Sequence, residues 1–196
     1  MRPSIRLYSD ADNENYLAGL ITGDGHLEKK KHRIVIASSD RKYIDMIAEM
    51  LKFLGYKISI FYDKSATVWK ISIYSNKLHS KLITEYNIPA GNKSCTMQAP
   101  NVQKNQITNF LSGLYDAEGW PEIMNMKYIR IRIKMKNKDV SNFIYRSLKE
   151  KGFKTTIHEK DDGSFVVNVG KRESAKRFLD EFTLLHPKWV SAYDFF

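Results

Sequence analysis

The chain has 196 residues, and its 32 Lys and Arg against 22 Asp and Glu give a formal net charge of +10 at pH 7. A single cysteine excludes an internal disulfide framework and a multi-cysteine zinc site, and no apolar run approaches the roughly 18 residues of a membrane span. Because the first residues also lack a signal-peptide pattern, we expect a soluble intracellular protein whose basic surface favours a polyanion such as nucleic acid.

An internal repeat organises the chain. The segment Leu17–Gly25, LAGLITGDG, recurs 94 residues later as Leu111–Gly119, LSGLYDAEG. Each motif is predicted to be a helix, followed by a strand, an amphipathic helix, two more strands and a closing helix. In the first copy the predicted bounds are 13–23, 33–37, 40–54, 57–61, 68–74 and 77–85. In the second copy they are 105–117, 128–136, 138–151, 154–158, 164–169 and 174–185.

This order of elements predicts an α+β protein. The stretch 91–101 is rich in turn-forming and polar residues, which is typical of a linker. We therefore expect an N-terminal repeat at 1–90 and a C-terminal repeat at 102–196.

Local signals mark the ends of several elements. Ser39 is a predicted N-cap for the second helix, and Gly55 and Gly152 are predicted to end helices in the left-handed conformation. Trp120 and Pro121 are predicted to shape a loop after the second motif.

Small residues share one face of each motif helix. Gly19 and Gly23 lie four residues apart, as do Gly113 and Ala117. A glycine inside a helix costs about 1 kcal/mol relative to alanine, so this face predicts the close approach of another backbone. The partner we expect is the motif helix of the other copy, related by a pseudo-twofold axis.

Each motif helix ends in an acid, Asp24 or Glu118. A carboxylate is unfavourable at the C-terminal end of a helix, and two parallel helices would bring both acids together. Because Mg²⁺ binds one or two carboxylates together with waters and phosphate oxygens, the pair predicts a divalent-metal site. An ordinary helix-ending turn is the alternative, which two copies in register disfavour.

These motifs and the order of elements over about residues 13–185 resemble the LAGLIDADG homing endonucleases that carry two motifs in one chain. The resemblance implies two αββαββα units, each with a four-stranded saddle sheet along the DNA major groove. The fourth strand is expected near 28–32, or as part of a longer hairpin that is split in two. It also implies a monomeric, intron-encoded type of enzyme that hydrolyses both strands of double-stranded DNA, and the unlike copies favour a long asymmetric target.

The resemblance also implies site residues. Asp24 and Glu118 would be metal ligands and catalytic residues, and the carbonyl groups of Gly23 and Ala117 would be supplementary ligands. Mg²⁺ is the implied cofactor; Mn²⁺ is expected to substitute for it, and Ca²⁺ to bind without supporting cleavage. The other implied catalytic positions are Ser39, Lys77, Lys136 and Lys171.

Cations line one face of the predicted strand 128–136, because they alternate with apolar residues. Like charges on one face repel one another unless an anion is near, which favours a DNA contact over a merely solvated face. Such side chains can clamp phosphates or read base edges. The residues predicted to contact DNA are Lys29, Lys30, Lys31, Arg33, Val35, Lys70, Ser72, Tyr74, Arg130, Arg132, Lys134, Lys136, Lys154, His158 and Asn168.

Two other functions remain open at this point. One is RNA binding as an intron-splicing maturase, with host intron RNA as partner, and the other is DNA binding without catalysis. The presence of both acids argues against the second, because a pure binder gains nothing from two carboxylates facing phosphate. No membrane and no protein partner are expected.

Overall fold

The computed structural model describes residues 9–93 and 96–196, so the first eight residues and Cys95 in the linker lie outside the described part. The αββαββα unit occurs twice, as expected. The first unit comprises α1 Asp10–Asp24, β1 Gly25–Leu27, β2 Arg33–Ser38, α2 Arg41–Phe53, β3 Ile58–Asp63, β4 Val68–Tyr74 and α3 Asn76–Thr84. The second comprises α4 Ile107–Glu118, β5 Gly119–Met124, β6 Tyr128–Met135, α5 Lys138–Glu150, β7 Thr155–Glu159, β8 Phe165–Val169 and α6 Arg172–Glu181. Two short 3₁₀ turns, Lys104–Gln106 and Pro187–Trp189, and a final helix α7, Val190–Tyr193, complete the described chain.

Each unit contains one four-stranded antiparallel sheet. The strand orders are β1-β2-β4-β3 and β5-β6-β8-β7, and Gly25 pairs with Ile36 as Gly119 pairs with Ile133. Isoleucines and valines on one face of the inner strands are buried in the core. Because side chains alternate along a strand, the polar residues between them lie on the opposite face. The predicted α+β class is confirmed.

The fourth strand of each sheet lies where the sequence did not predict it. β1 and β5 follow the motif acids directly, because Gly25 and Gly119 turn the chain from helix into extended backbone. The expected strand at 28–32 is therefore wrong. Trp120 and Pro121 belong to β5 rather than to a loop, and the proline is tolerated because β5 is an edge strand.

The helix ends confirm two of the three local signals. Gly55 and Gly152 have φ angles of 77° and 80° and follow α2 and α5, as predicted. The N-cap of α2 is Asp40 and not Ser39, since the Asp40 carboxylate accepts the backbone N–H of Tyr43 at 2.9 Å. Ser39 is left exposed.

The two motif helices pack directly against each other through their small residues. A Cβ atom at Gly19 would lie 1.8 Å from the carbonyl oxygen of Phe110, and one at Gly113 would lie 1.9 Å from that of Tyr16. The reciprocal contacts confirm the pseudo-twofold arrangement of the seam. Further along, a Cβ at Gly23 would lie 2.3 Å from the Cβ of Ala117.

One hydrophobic core extends across the seam and includes residues of both units. Trp189, after the last strand, is 1% exposed and fixes the C-terminal segment to this core. In the described part of the chain, no helix combines the length and the apolar character that crossing a bilayer requires.

Candidate functional site

The paired helices bring Asp24 and Glu118 to the same end of the seam. A Cβ at Gly23 would lie 2.9 Å from the Cγ of Glu118, so the Glu118 side chain covers the glycine that precedes Asp24. Loss of hydration raises the pKa of both carboxyls, and the charge of Asp24 raises the pKa of Glu118 further. Among the described residues, no donor is hydrogen-bonded to either carboxylate.

Two lysines that the sequence analysis missed close this end of the seam. Lys93 Nζ donates to the carbonyl oxygens of Ile21 at 2.6 Å and Gly25 at 2.5 Å, and also to that of Gly23. Lys188 Nζ donates to the carbonyl oxygen of Asp116 at 2.6 Å and to that of Ala117 at 3.0 Å. Each ammonium group therefore binds the carbonyl oxygens at the end of one motif helix.

The spacing of the two repeats could have identified Lys93 and Lys188 as equivalent residues. Lys93 and Lys188 lie 95 residues apart, close to the spacing of the two motifs, but neither falls in an element with a periodic pattern. Lys93 belongs to the predicted linker, and Lys188 lies in the 3₁₀ turn Pro187–Trp189. An alignment of the two copies beyond their last strands would have paired them.

The four charged side chains influence one another. Burial lowers the pKa of Lys93 to about 8 and lowers that of Lys188, although both acids favour the charged ammonium forms. Both lysines in turn lower the pKa values of Asp24 and Glu118, yet desolvation still leaves these above their ordinary values. The two lysines therefore compensate the negative charge of Asp24 and Glu118 only in part. A further positive charge close to the two carboxylates would be stabilising.

The oxygen ligands fit a hard divalent cation. Two neighbouring carboxylates that no described residue hydrogen-bonds are the ligands that Mg²⁺ takes, together with waters and phosphate oxygens. The carbonyl groups of Gly23 and Ala117, expected as supplementary ligands, already accept lysine hydrogen bonds and have one further lone pair each. The described residues contain no group of three or more His, Cys, Asp or Glu that could hold a metal, so a cage made of protein ligands alone is not present there.

The other predicted catalytic residues are dispersed. Lys136 lines a cavity with Gly23, Lys93 and Glu118, so the structure brings it to the acid of the second motif. Lys171 lines separate cavities with Arg130, and Ser39 and Lys77 are exposed, one after β2 and the other in the first turn of α3. These three residues do not line the cavity beside Glu118.

In the second sheet, the cations of β6 lie on one face as predicted, but protein anions lie beside them. Glu122 on β5 forms an ion pair with Arg132 and lies 4.0 Å from Arg130, and Asp162 in the β7–β8 turn binds Lys134 at 2.7 Å. The neighbouring strand and turn supply anions that the sequence of β6 alone does not show. Of the remaining predicted contacts, Lys154 and His158 are exposed and line a groove with Arg130 and Arg132, whereas Asn168 is buried against Arg132.

In the first sheet, the polar face is also internally paired. Arg33 binds Glu28, and Lys70 binds Asp63 at 2.6 Å. Ser72 is fully buried, and its hydroxyl has no partner in the described part of the chain, which contradicts the expected outward contact. Residues of the two flanking strands, Val35 and Ser59, lie directly opposite this small side chain, at the centre of the sheet.

The other predicted contacts of the first sheet are accessible to different degrees. Val35 is half-buried and Tyr74 is 54% exposed. The three cations of the β1–β2 turn, Lys29, Lys30 and Lys31, are exposed to solvent.

A family model described as a LAGLIDADG-like domain matches residues 12–86 and 105–183. The chain belongs to the LAGLIDADG family. It is 31% identical over 185 residues to homing endonuclease I-DmoI from Desulfurococcus mucosus, covering 84% of this chain and 88% of the relative. The family resemblance inferred from the motifs is therefore confirmed.

Solved structures of LAGLIDADG proteins share the fold. I-DmoI in complex with DNA and Ca matches with a TM-score of 0.69 and 26% identity, over 95% of this chain and 98% of that one. I-DmoI in complex with DNA and Mn matches with a TM-score of 0.65 and 25% identity, over 91% of this chain and 99% of that one. Full-length WhiA from Thermatoga maritima has a TM-score of 0.70 at 16% identity, over 98% of this chain and 62% of that one, which is a likeness of fold alone.

Proposed function

We propose that this chain is a metal-dependent DNA endonuclease that binds a long asymmetric duplex and hydrolyses both strands. The observation that carries the proposal is the pair Asp24 and Glu118, two carboxyls of raised pKa at the seam of two repeats, to which no described residue donates a hydrogen bond. The similarity to homing endonuclease I-DmoI, whose structures contain DNA with Ca or Mn, supports the same substrate and a divalent metal.

Asp24 and Glu118 would hold the metal, with the carbonyl groups of Gly23 and Ala117 as supplementary ligands. A bound divalent cation would supply a water of lowered pKa and stabilise charge at the scissile phosphate. Mg²⁺ is the proposed ion, Mn²⁺ is expected to replace it, and Ca²⁺ is expected to bind without supporting cleavage.

The lysine side chains beside the two acids have a separate role. Lys93 and Lys188 fix the carbonyl ends of α1 and α4, and so hold the two acids at a set separation. Their ammonium groups also place positive charge where a phosphate would bind, and Lys136 adds a third such charge from the neighbouring cavity wall. Since one chain supplies both acids and both lysines, a monomer is sufficient for the proposed activity.

The DNA would lie across the polar faces of the two sheets, with one half-site for each of the proposed repeats, 1–90 and 102–196. The two faces differ in cations, aromatic residues and acids, which favours an asymmetric target over a palindrome. Exposed cations such as Lys30 and Lys154 would contact phosphates, and half-buried polar residues would face base edges.

The test uses a library of randomised duplexes incubated with Mg²⁺, followed by sequencing of the cleaved ends. We expect cleavage of a defined site by the wild type. Asp24→Asn and Glu118→Gln should each lower the cleavage rate by at least about 10³-fold without loss of DNA binding. Asp139→Asn, which removes an exposed acid at the start of α5, is the matched control and should cleave normally.

Other outcomes identify the alternatives. Sequence-specific binding without any cleavage would favour a DNA-binding protein that has lost catalysis. Tight binding of structured intron RNA, with no cleavage of any duplex in the library, would favour a maturase. Cleavage that survives both acid substitutions would overturn the proposed site.

A further inference from the structure

Arg132 lies in a row of polar and aromatic side chains that crosses the second sheet. Its cross-strand partners are Trp120 on β5 and Asn168 on β8. Asn168 in turn pairs with Thr156 on β7. Arg132 Nε donates to the Asn168 side-chain oxygen at 2.8 Å, and Nη1 donates to the carboxylate of Glu122. The guanidinium carbon lies 5.5 Å from the centre of the Trp120 ring.

These contacts fix the guanidinium group before any ligand binds. The Arg132 side chain is 19% exposed, whereas that of Arg130, 4.0 Å from the same glutamate, is 52% exposed. Asn168 is itself held by a 3.3 Å hydrogen bond to the hydroxyl of Thr156. An arginine held on two sides loses less conformational freedom when it binds than one that extends into solvent.

The hydrogen bonds to protein leave part of the guanidinium free. Within the described part of the chain, two of its five N–H donors are used, and the remaining three belong to Nη1 and Nη2. Two parallel donors at the end of an arginine match the O6 and N7 acceptors of guanine in the major groove, the commonest base-specific contact in DNA complexes. A carboxylate beside the arginine also cancels its charge, which weakens attraction to phosphates of any sequence.

The first sheet contains a related ion pair at a different register position. Glu28, directly after β1, is the counterpart of Glu122 in β5. Glu28 binds Arg33 on the adjacent strand β2. The position of β2 that faces His26 is Val35, whereas the corresponding position of β6, which faces Trp120, is Arg132. Arg33 is held as well, by Glu28 and by Tyr74 opposite it, but it lies two residues along the strand from Val35. An arginine at the register position of Val35, held by a glutamate and an asparagine, is therefore found in the second sheet and not in the first.

From this asymmetry we infer that Glu122 is a specificity-determining positioning residue, which together with Asn168 orients Arg132 to read one guanine in the half-site under the second sheet. The inference rests on the proposed DNA binding and deepens it. Glu122 acts through Arg132 and does not itself contact the DNA. It sharpens the choice of base and lowers affinity for DNA of arbitrary sequence.

The experiment selects binding sites from a randomised duplex library in EDTA, so that no strand is cut. It measures base preference at every position for the wild type, Glu122→Gln, Arg132→Lys and the control Glu150→Gln. Glu150 is an exposed acid at the end of α5, and its change alters net charge equally. Each protein is also titrated against sonicated DNA of mixed sequence, and its thermal midpoint is recorded.

We expect the wild type to prefer guanine at one position by about 10-fold or more. Arg132→Lys and Glu122→Gln should both weaken that preference, at the same position, and Glu122→Gln should bind mixed-sequence DNA about threefold more tightly. Glu150→Gln should change neither quantity beyond a small uniform effect. Glu122→Asp keeps the charge but shortens the side chain, so it should weaken the guanine preference without tightening binding to mixed DNA.

The inference is overturned if Glu122→Gln folds normally and retains the wild-type preference at the position that Arg132→Lys loses. It is also overturned if Glu122→Gln changes affinity uniformly, as Glu150→Gln does. Failure of the wild type to bind duplex DNA at all would remove the proposed function together with this inference, and is a distinct result. A lowered thermal midpoint with unchanged base preference would show that the ion pair is only structural.

Discussion

The hydroxyl of Tyr16 donates to the Asp116 carboxylate at 2.5 Å, and this hydrogen bond joins the two repeats inside their seam. Tyr16 lies on α1 and is 4% exposed, whereas Asp116 lies on α4 and is fully buried. The same carboxylate oxygen accepts the backbone N–H of Leu185 at 2.6 Å. The buried acid therefore ties the first repeat and the C-terminal segment to the motif helix that ends in Glu118.

Tyr16→Phe removes one donor from this buried carboxylate. Because a hydrogen bond to a charged group contributes more than a neutral one, the free energy of unfolding should fall by about 1–3 kcal/mol. Chemical denaturation measures the change. Tyr145→Phe, at a half-buried surface position on α5, is the control and should change stability by less than about 0.5 kcal/mol. Equal stability of the two variants would contradict a structural role for the Tyr16–Asp116 bond.

Gly19→Ala should separate the motif helices. The added Cβ would lie 1.8 Å from the Phe110 carbonyl oxygen, which is backbone and cannot move independently. We expect a loss of about 3 kcal/mol or more in unfolding free energy, with loss of DNA cleavage. Gly170→Ala is the control, since a Cβ there meets no atom within 4 Å. A Gly19→Ala variant as stable as Gly170→Ala would refute the close packing.

Lys93→Met and Lys188→Met each remove an ammonium group while keeping a long apolar side chain. The carbonyl oxygens at the motif ends lose their donor, and the scissile phosphate loses a positive charge. Single-turnover cleavage should slow by about 10²-fold or more, with a smaller change in DNA affinity. Lys52→Met on the outer helix α2 is the control. Rates equal to those of the control would show that neither lysine serves the reaction.

His186 makes stability depend on pH. Burial and the charge of Lys188 lower its pKa to about 4, against the partial opposition of Asp40, and the unfolded value is about 6.5. Between these values the unfolded chain binds the proton and the folded chain does not, so the contribution is fully present above about pH 6.5 and is lost as the pH falls towards 4.

The measurement compares unfolding free energies at pH 7 and pH 5. His186→Asn preserves an acceptor for the Lys188 N–H, which the ring nitrogen now binds at 3.1 Å. The decrease from pH 7 to pH 5 should be smaller in this variant by about 1 kcal/mol, allowing for solvent screening of the half-buried ring. His158→Asn, at an exposed position, should retain the wild-type decrease. An identical pH dependence of His186→Asn and the wild type would contradict this account.

Spacing and periodicity along the chain predict the duplicated unit, the motif helices with their small faces, and the two terminal acids. These features are local or periodic, so they are visible in spacing alone: Gly19 and Gly23 fall on one helical face wherever the helix is placed. The family resemblance is inferred from the same residues.

The packing of separate elements determines which other charges meet at the site and on the sheets. Lys93 and Lys188 reach the helix ends from irregular segments, and Glu122 and Asp162 neutralise cations of β6 from a neighbouring strand and a turn. β1 has only three residues, and it is a strand because β2 pairs with it. Such contacts join residues that no short-range pattern relates, because ion pairs and strand register depend on how separate elements pack.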